Sequence, residues 1–130
     1  MELLKGEDIN TLLLLRSAKL PDGKCYLNSD AIDLLQGLEE RYNAIKDTYV
    51  NLNGKPDKTP EEDQLLSSCS ENLVLVAEHY YNAMPNIQLQ AAYDEMTNEK
   101  KDDPLIEVKK KAAIAVMQAR GLTVPRFGRV

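Results

Sequence analysis

Apolar residues recur at Ala31, Leu35, Leu38, Tyr42, Ile45, Tyr49 and Leu52, at alternating intervals of four and three. A 3.5-residue repeat held over three heptads predicts a long helix across 31–52 that lies along a partner helix with a left-handed seam. A second stripe follows at Leu66, Cys69, Leu73, Val76, Tyr80 and Ala83, widened by Leu65, Ala77, Tyr81 and Met84. Between the two, residues 51–58 are polar and rich in Asn, Gly, Pro, Asp and Lys, so the chain should reverse there. The second helix has a specific start. Thr59 supplies a cap, Pro60 suits the first helical position, and Glu62 stands where its carboxylate can return a bond to the cap amide.

Shorter patterns complete the reading. Glu7 and Asp8 sit well for the positive end of a helix over 7–18, although the apolar run Leu12 to Leu15 would also suit a buried short strand. Pro21, Asp22 and Gly23 form turn chemistry that could close a small hairpin near 19–27. Asn28, Ser29 or Asp30 can cap the long helix, and Gly37 inside it reflects either a close backbone neighbour or simple tolerance. Pro85 should end or kink the 60–84 helix. Leu89, Ala92, Tyr93 and Met96 then mark a short helix over 86–97. After the charged connector 98–103, Asp103 and Pro104 read as the start of a last helix and Gly121 as its stop. Within it 112–117 is apolar on every side, which calls for burial or a partner.

The fold class expected is all-α: a compact bundle of four to five helices built on the antiparallel hairpin of 31–52 and 60–84. Residues 1–121 are expected to form a single helical domain and 122–130, with Pro125 and Gly128, an extended basic tail. A chain of 130 residues can bury roughly two thirds of its unfolded surface, enough for one core. With 43% hydrophobic and 28% charged residues, the composition is that of a globular chain rather than a disordered one.

Charge changes the picture more than composition does. Residues 1–97 hold 17 acids and 8 bases, whereas 98–130 hold 4 acids and 8 bases. An acidic body with a basic end can pair with itself, with a second copy or with two different partners. The two cysteines, Cys25 and Cys69, lack metal-site spacing and imply no disulfide framework, which fits a reducing compartment. No run nears the ~20 apolar residues that a membrane-spanning helix needs. The expected location is cytoplasmic, with no membrane partner.

Candidate chemistry is sparse. His79 is the one histidine; neither a Glu-x-x-His pair nor HExxH surrounds it, so an edge-of-core role is expected. Cys69 reads as a small core hydrophobe and Cys25 as an unreactive thiol in a turn. Residues 54–59 lack the glycine spacing of a phosphate loop, and Glu61, Glu62 and Asp63 are explained by the helix dipole. No catalytic residue, cofactor or metal is assigned, and the expectation is a protein that is not an enzyme.

The remaining candidates are cations. Lys109, Lys110, Lys111, Arg120, Arg126 and Arg129, with Phe127, are the residues expected to bind a partner. Successive helical lysines fan out about 100° apart, which weakens them as a single nucleic-acid groove reader. The expected function is therefore a non-enzymatic interaction factor (adaptor, inhibitor, immunity-type or chaperone-like) that binds another protein through apolar helix faces, its acidic surface and the basic tail. A second copy of the chain is an alternative partner, forming a homo-oligomer. The alternative function is a nucleic-acid-associated or phage-type assembly, packaging or regulatory protein that contacts phosphates through 108–130.

Overall fold

The structure, a computed structural model, describes residues 2–18, 28–98 and 103–122. Among these residues the chain forms an all-helical bundle with five helices and no strand. They are α1 (Gly6–Ser17), α2 (Ser29–Asn53), α3 (Pro60–Asn82), α4 (Asn86–Asn98) and α5 (Ile106–Ala119). The expected hairpin near 19–27, Cys25, and the tail from 123 onward lie outside the described residues.

Local chemistry sets the boundaries. Asn28 Oδ1 accepts from the Ala31 amide at 2.8 Å, starting α2. At α3 the Glu62 amide donates to Thr59 Oγ1 and the Thr59 amide donates to Glu62 Oε1, both at 3.1 Å, which is the reciprocal cap expected from the sequence. Lys55 bridges the same carboxylate at 2.5 Å, and this bond together with the Thr59 amide holds the Glu62 carboxyl below its ordinary range. α5 begins two residues later than Asp103 and Pro104 suggest, because Asp103 first caps a turn: its Oδ1 accepts from the Leu105 amide at 2.9 Å. The end of α5 is a Schellman motif. Gly121 stands at φ 72°, its amide donates to Gln118 O at 3.0 Å, and the Leu122 amide donates to Met117 O at 2.9 Å.

Packing divides the chain into two compact units, 1–72 and 73–130, with the boundary inside α3 between Asn72 and Leu73. In the first unit Leu35, Leu38, Ile45 and Tyr49 of the α2 stripe are buried, together with Leu4, Ile9, Leu12 and Cys69. Each fully buried aliphatic side chain here contributes about 1.5–3 kcal/mol over its exposed state. α1 packs closely on α2. Asp8 and Arg16, about two turns apart on α1, both reach residues 39–41 of α2. The Leu12 to Leu15 run is helical, with Leu12 buried and Leu14 70% exposed.

In the second unit α4 packs closely on α5. Leu89, Tyr93 and Met96 are buried as their spacing predicts, and Ala112, Ala113, Val116 and Met117 account for the apolar run of α5. The α3 stripe departs from expectation at its end. Tyr80, expected on the buried face, is 53% exposed, while Tyr81 is 6% exposed. Leu73 and Val76 continue the line of Cys69, but Val74 and Tyr81 lie about a third of a turn around the helix, so the buried face shifts within this half of α3.

Candidate functional site

In each unit a side chain more than 30 residues away in sequence holds irregular backbone. In the second unit this happens where α3 ends and α4 begins. Pro85 cannot continue α3, and the last carbonyls of a helix have no partner within it. Arg120, one residue past α5, supplies the missing donors. Its Nη2 donates to Asn82 O at 2.8 Å, and its Nη1 donates to Met84 O at 2.7 Å and to Asn86 Oδ1 at 2.9 Å. A cation at this place also opposes the negative end of the α3 dipole. Flanking the corner, Tyr80 is 53% exposed and Ile87, at the start of α4, is 85% exposed. Tyr80 stands edge-on to Tyr81 with ring centroids 5.4 Å apart. The Tyr81 hydroxyl donates to Met96 Sδ at 3.6 Å, and burial pushes its pKa up to about 12, with smaller contributions from Tyr80 and Asp103.

In the first unit the fixed element is the segment 2–5 that precedes α1. The Leu4 amide donates to Asn72 Oδ1 at 3.1 Å, and Asn72 Nδ2 donates back to Leu4 O at 2.7 Å. Leu4 is 2% exposed and Asn72 is a buried polar residue, so this exchange satisfies groups that water cannot reach. Arg41 holds the same segment: its Nη2 donates to Leu3 O at 2.8 Å and to Asp8 Oδ2 at 3.4 Å, and its Nε lies 3.9 Å from Glu2 Oε2. Nearby, Arg16 makes a two-point bridge to Glu39, at 2.6 and 2.7 Å, and lies 5.1 Å from the centre of the Tyr42 ring. The Glu39 carboxylate raises the Arg16 pKa.

The cations expected to bind a partner divide. Lys109 bridges Asp103 at 2.6 Å and Arg120 is engaged at the α3 to α4 corner, so both act within the second unit. Lys110 is half-buried and Lys111 is exposed. Arg126, Phe127 and Arg129 lie outside the described residues. His79 is half-buried, and Cys69 is a buried thiol whose pKa burial raises, which makes it a poor nucleophile. Among the described residues no group of three or more His, Cys, Asp or Glu side chains could hold a metal ion. No described helix is long and apolar enough to cross a membrane.

Comparison with known proteins finds no matching family, no matching curated protein and no matching solved structure. Sequence reasoning missed Asn72 and Leu4. Asn72 had a signal: three residues after Cys69 and one before Leu73, it falls where the helical phase demands an apolar side chain. Leu4 had none, since a leucine outside any periodic segment says nothing of its burial.

Proposed function

We propose that this protein is a non-enzymatic interaction factor whose ligand is another protein, of the adaptor, inhibitor, immunity-type or chaperone-like kind, working in the cytoplasm. The observation that carries the reading is the α3 to α4 corner, where Arg120 fixes the backbone while Tyr80 and Ile87 stand exposed on either side of it. A rigid corner bearing a tyrosine and a large aliphatic side chain suits docking, because its ordering cost is met within the folded chain before a partner arrives. The basic tail, which begins just past Arg120, would add charge attraction to the same encounter.

The test compares the full chain with a Tyr80→Ser, Ile87→Asp variant, both exposed positions that should leave the melting temperature within a degree or two. Proteins retained from source-cell extract by the wild type should be depleted on the variant. Light scattering at low and high salt, run in parallel, identifies a second copy as the partner if a wild-type oligomer is lost in the variant. Equal retention by both chains sinks the reading. Salt-sensitive binding to duplex or single-stranded oligonucleotides, unchanged in the variant, would replace it with phosphate contact through 108–130.

A further inference from the structure

The segment 2–5 is held the way a protein holds a bound peptide. It precedes α1 as non-helical chain, with Lys5 extended at φ −85° and ψ 167°. One side chain, Leu4, is buried as an anchor. Both polar groups of the Leu4 backbone are matched by a single amide, and the preceding carbonyl, that of Leu3, is matched by Arg41. A side-chain amide that exchanges two bonds with one residue's backbone imitates a strand partner, so it reads extended main chain whatever side chains flank the anchor. The fit is also incomplete. Among the described residues Arg41 Nε is buried without a hydrogen-bond partner, and Glu2 Oε2 lies 3.9 Å from it. A buried charged donor in that state is stabilised by any carboxylate set closer to it.

We propose that Asn72, Arg41 and the pocket of Leu4 form a receptor for an extended segment of a partner protein in which an acidic residue stands two places before a leucine. Residues 2–5 occupy it as an internal stand-in. The cis segment competes at the high effective concentration of a short tether, on the order of millimolar, so the receptor opens only to a segment whose carboxylate reaches Arg41 better than Glu2 does. This site lies in the first unit and stands whether or not the Tyr80 and Ile87 corner docks a partner.

The experiment uses isotope-labelled full chain and a hexapeptide of the sequence of residues 1–6, followed by the NMR shifts of the backbone amides of residues 39–42 and 70–73, which every variant retains. A chain carrying Leu4→Ala, whose own segment has lost its anchor, should bind the peptide at least tenfold more tightly than wild type. Adding Asn72→Ala should remove binding, and a peptide with alanine for its second leucine should bind neither chain. Absence of binding to the Leu4→Ala chain, or binding that survives Asn72→Ala, overturns the proposal. Hydrogen exchange on the unaltered chain gives a check that no variant can confound. The Leu4 amide should exchange at least tenfold faster than the buried α1 amides of Ile9 and Leu12, through release of the segment alone. Equal rates would mean that the segment leaves only on global unfolding, which also overturns it. A dimer of the wild type that Leu4→Ala abolishes would assign the receptor to a second copy's segment and reject a separate partner.

Discussion

Asn72 in the first unit and Arg120 in the second do the same task by opposite means. Each is one side chain that satisfies backbone groups no regular element satisfies. Asn72 is neutral and buried, and it pairs an amide and a carbonyl of one residue. Arg120 is charged and partly solvated, and it gathers carbonyls and a side-chain oxygen from the end of α3 and the start of α4. The lesson concerns what replaces each when it is lost. Water can reach the carbonyls around Arg120, whereas it cannot reach the Leu4 backbone without opening the packing around it.

That contrast predicts unequal costs. Asn72→Ala leaves a buried N–H and a buried C=O unpaired and should destabilise the chain by about 3 kcal/mol, read as a lowered urea midpoint. Arg120→Ala should cost about 1 kcal/mol, because solvent takes over much of its bonding. Equal losses in the two variants would break the comparison. Asn72→Asp sharpens it, since a carboxylate can still accept from the Leu4 amide but would face the Leu4 carbonyl with no donor; it should be at least as damaging as alanine.

The two units also differ in the pH at which they weaken. Tyr81, in the second, has a folded pKa of about 12 against an ordinary value of about 10, so the folded state holds the proton more tightly. Its contribution is fully present below pH 10 and is lost as pH rises toward 12, by about 2–3 kcal/mol. Tyr81→Phe should abolish that alkaline loss and change neutral-pH stability little, because the hydroxyl's acceptor is a thioether sulfur. Glu62, in the first unit, is shifted the other way by Lys55 and Thr59. What it adds is present above its unfolded pKa, roughly 4.3, and disappears as pH falls below that. Urea unfolding across both limbs, with Tyr81→Phe and Glu62→Gln as references, separates the two edges.

Much of the fold was legible because it follows from short-range rules. The Thr59 to Glu62 cap, the Asn28 cap, the α2 stripe and the stop at Gly121 each depend on residues within one or two turns of each other. What the sequence hid was long-range. The Leu4 to Asn72 exchange joins positions 68 apart, and the Arg120 bonds reach back 34 to 38 residues. Arg120 therefore read as a surface cation for a partner when its bonding is internal. Tyr80 and Tyr81 were ranked in the wrong order because Tyr80 keeps the helical phase of Cys69, Leu73 and Val76, whereas the buried face itself turns toward Val74 and Tyr81 in this half of α3.

The smallest effects separate the two glycines whose reasons the sequence left open or assigned, one in each unit. Gly37, in the middle of α2, is exposed, and a methyl group built there would meet nothing within 4 Å. Among the described residues no backbone comes close to it, which favours tolerance as the reason it is accommodated. Gly121 also has open space around it, but its φ of 72° lies in the left-handed region that the Schellman motif requires. The same substitution should then have opposite signs. Gly37→Ala should stabilise the chain by about 0.5–1 kcal/mol through helix propensity, while Gly121→Ala should cost about 1 kcal/mol through backbone strain. Thermal melts of the two single variants and of the double decide it. The double should lie close to wild type, because the sites share no partner and their effects add; a loss at Gly37 would mean that α2 meets a neighbour in solution at the very turn where the structure leaves it bare.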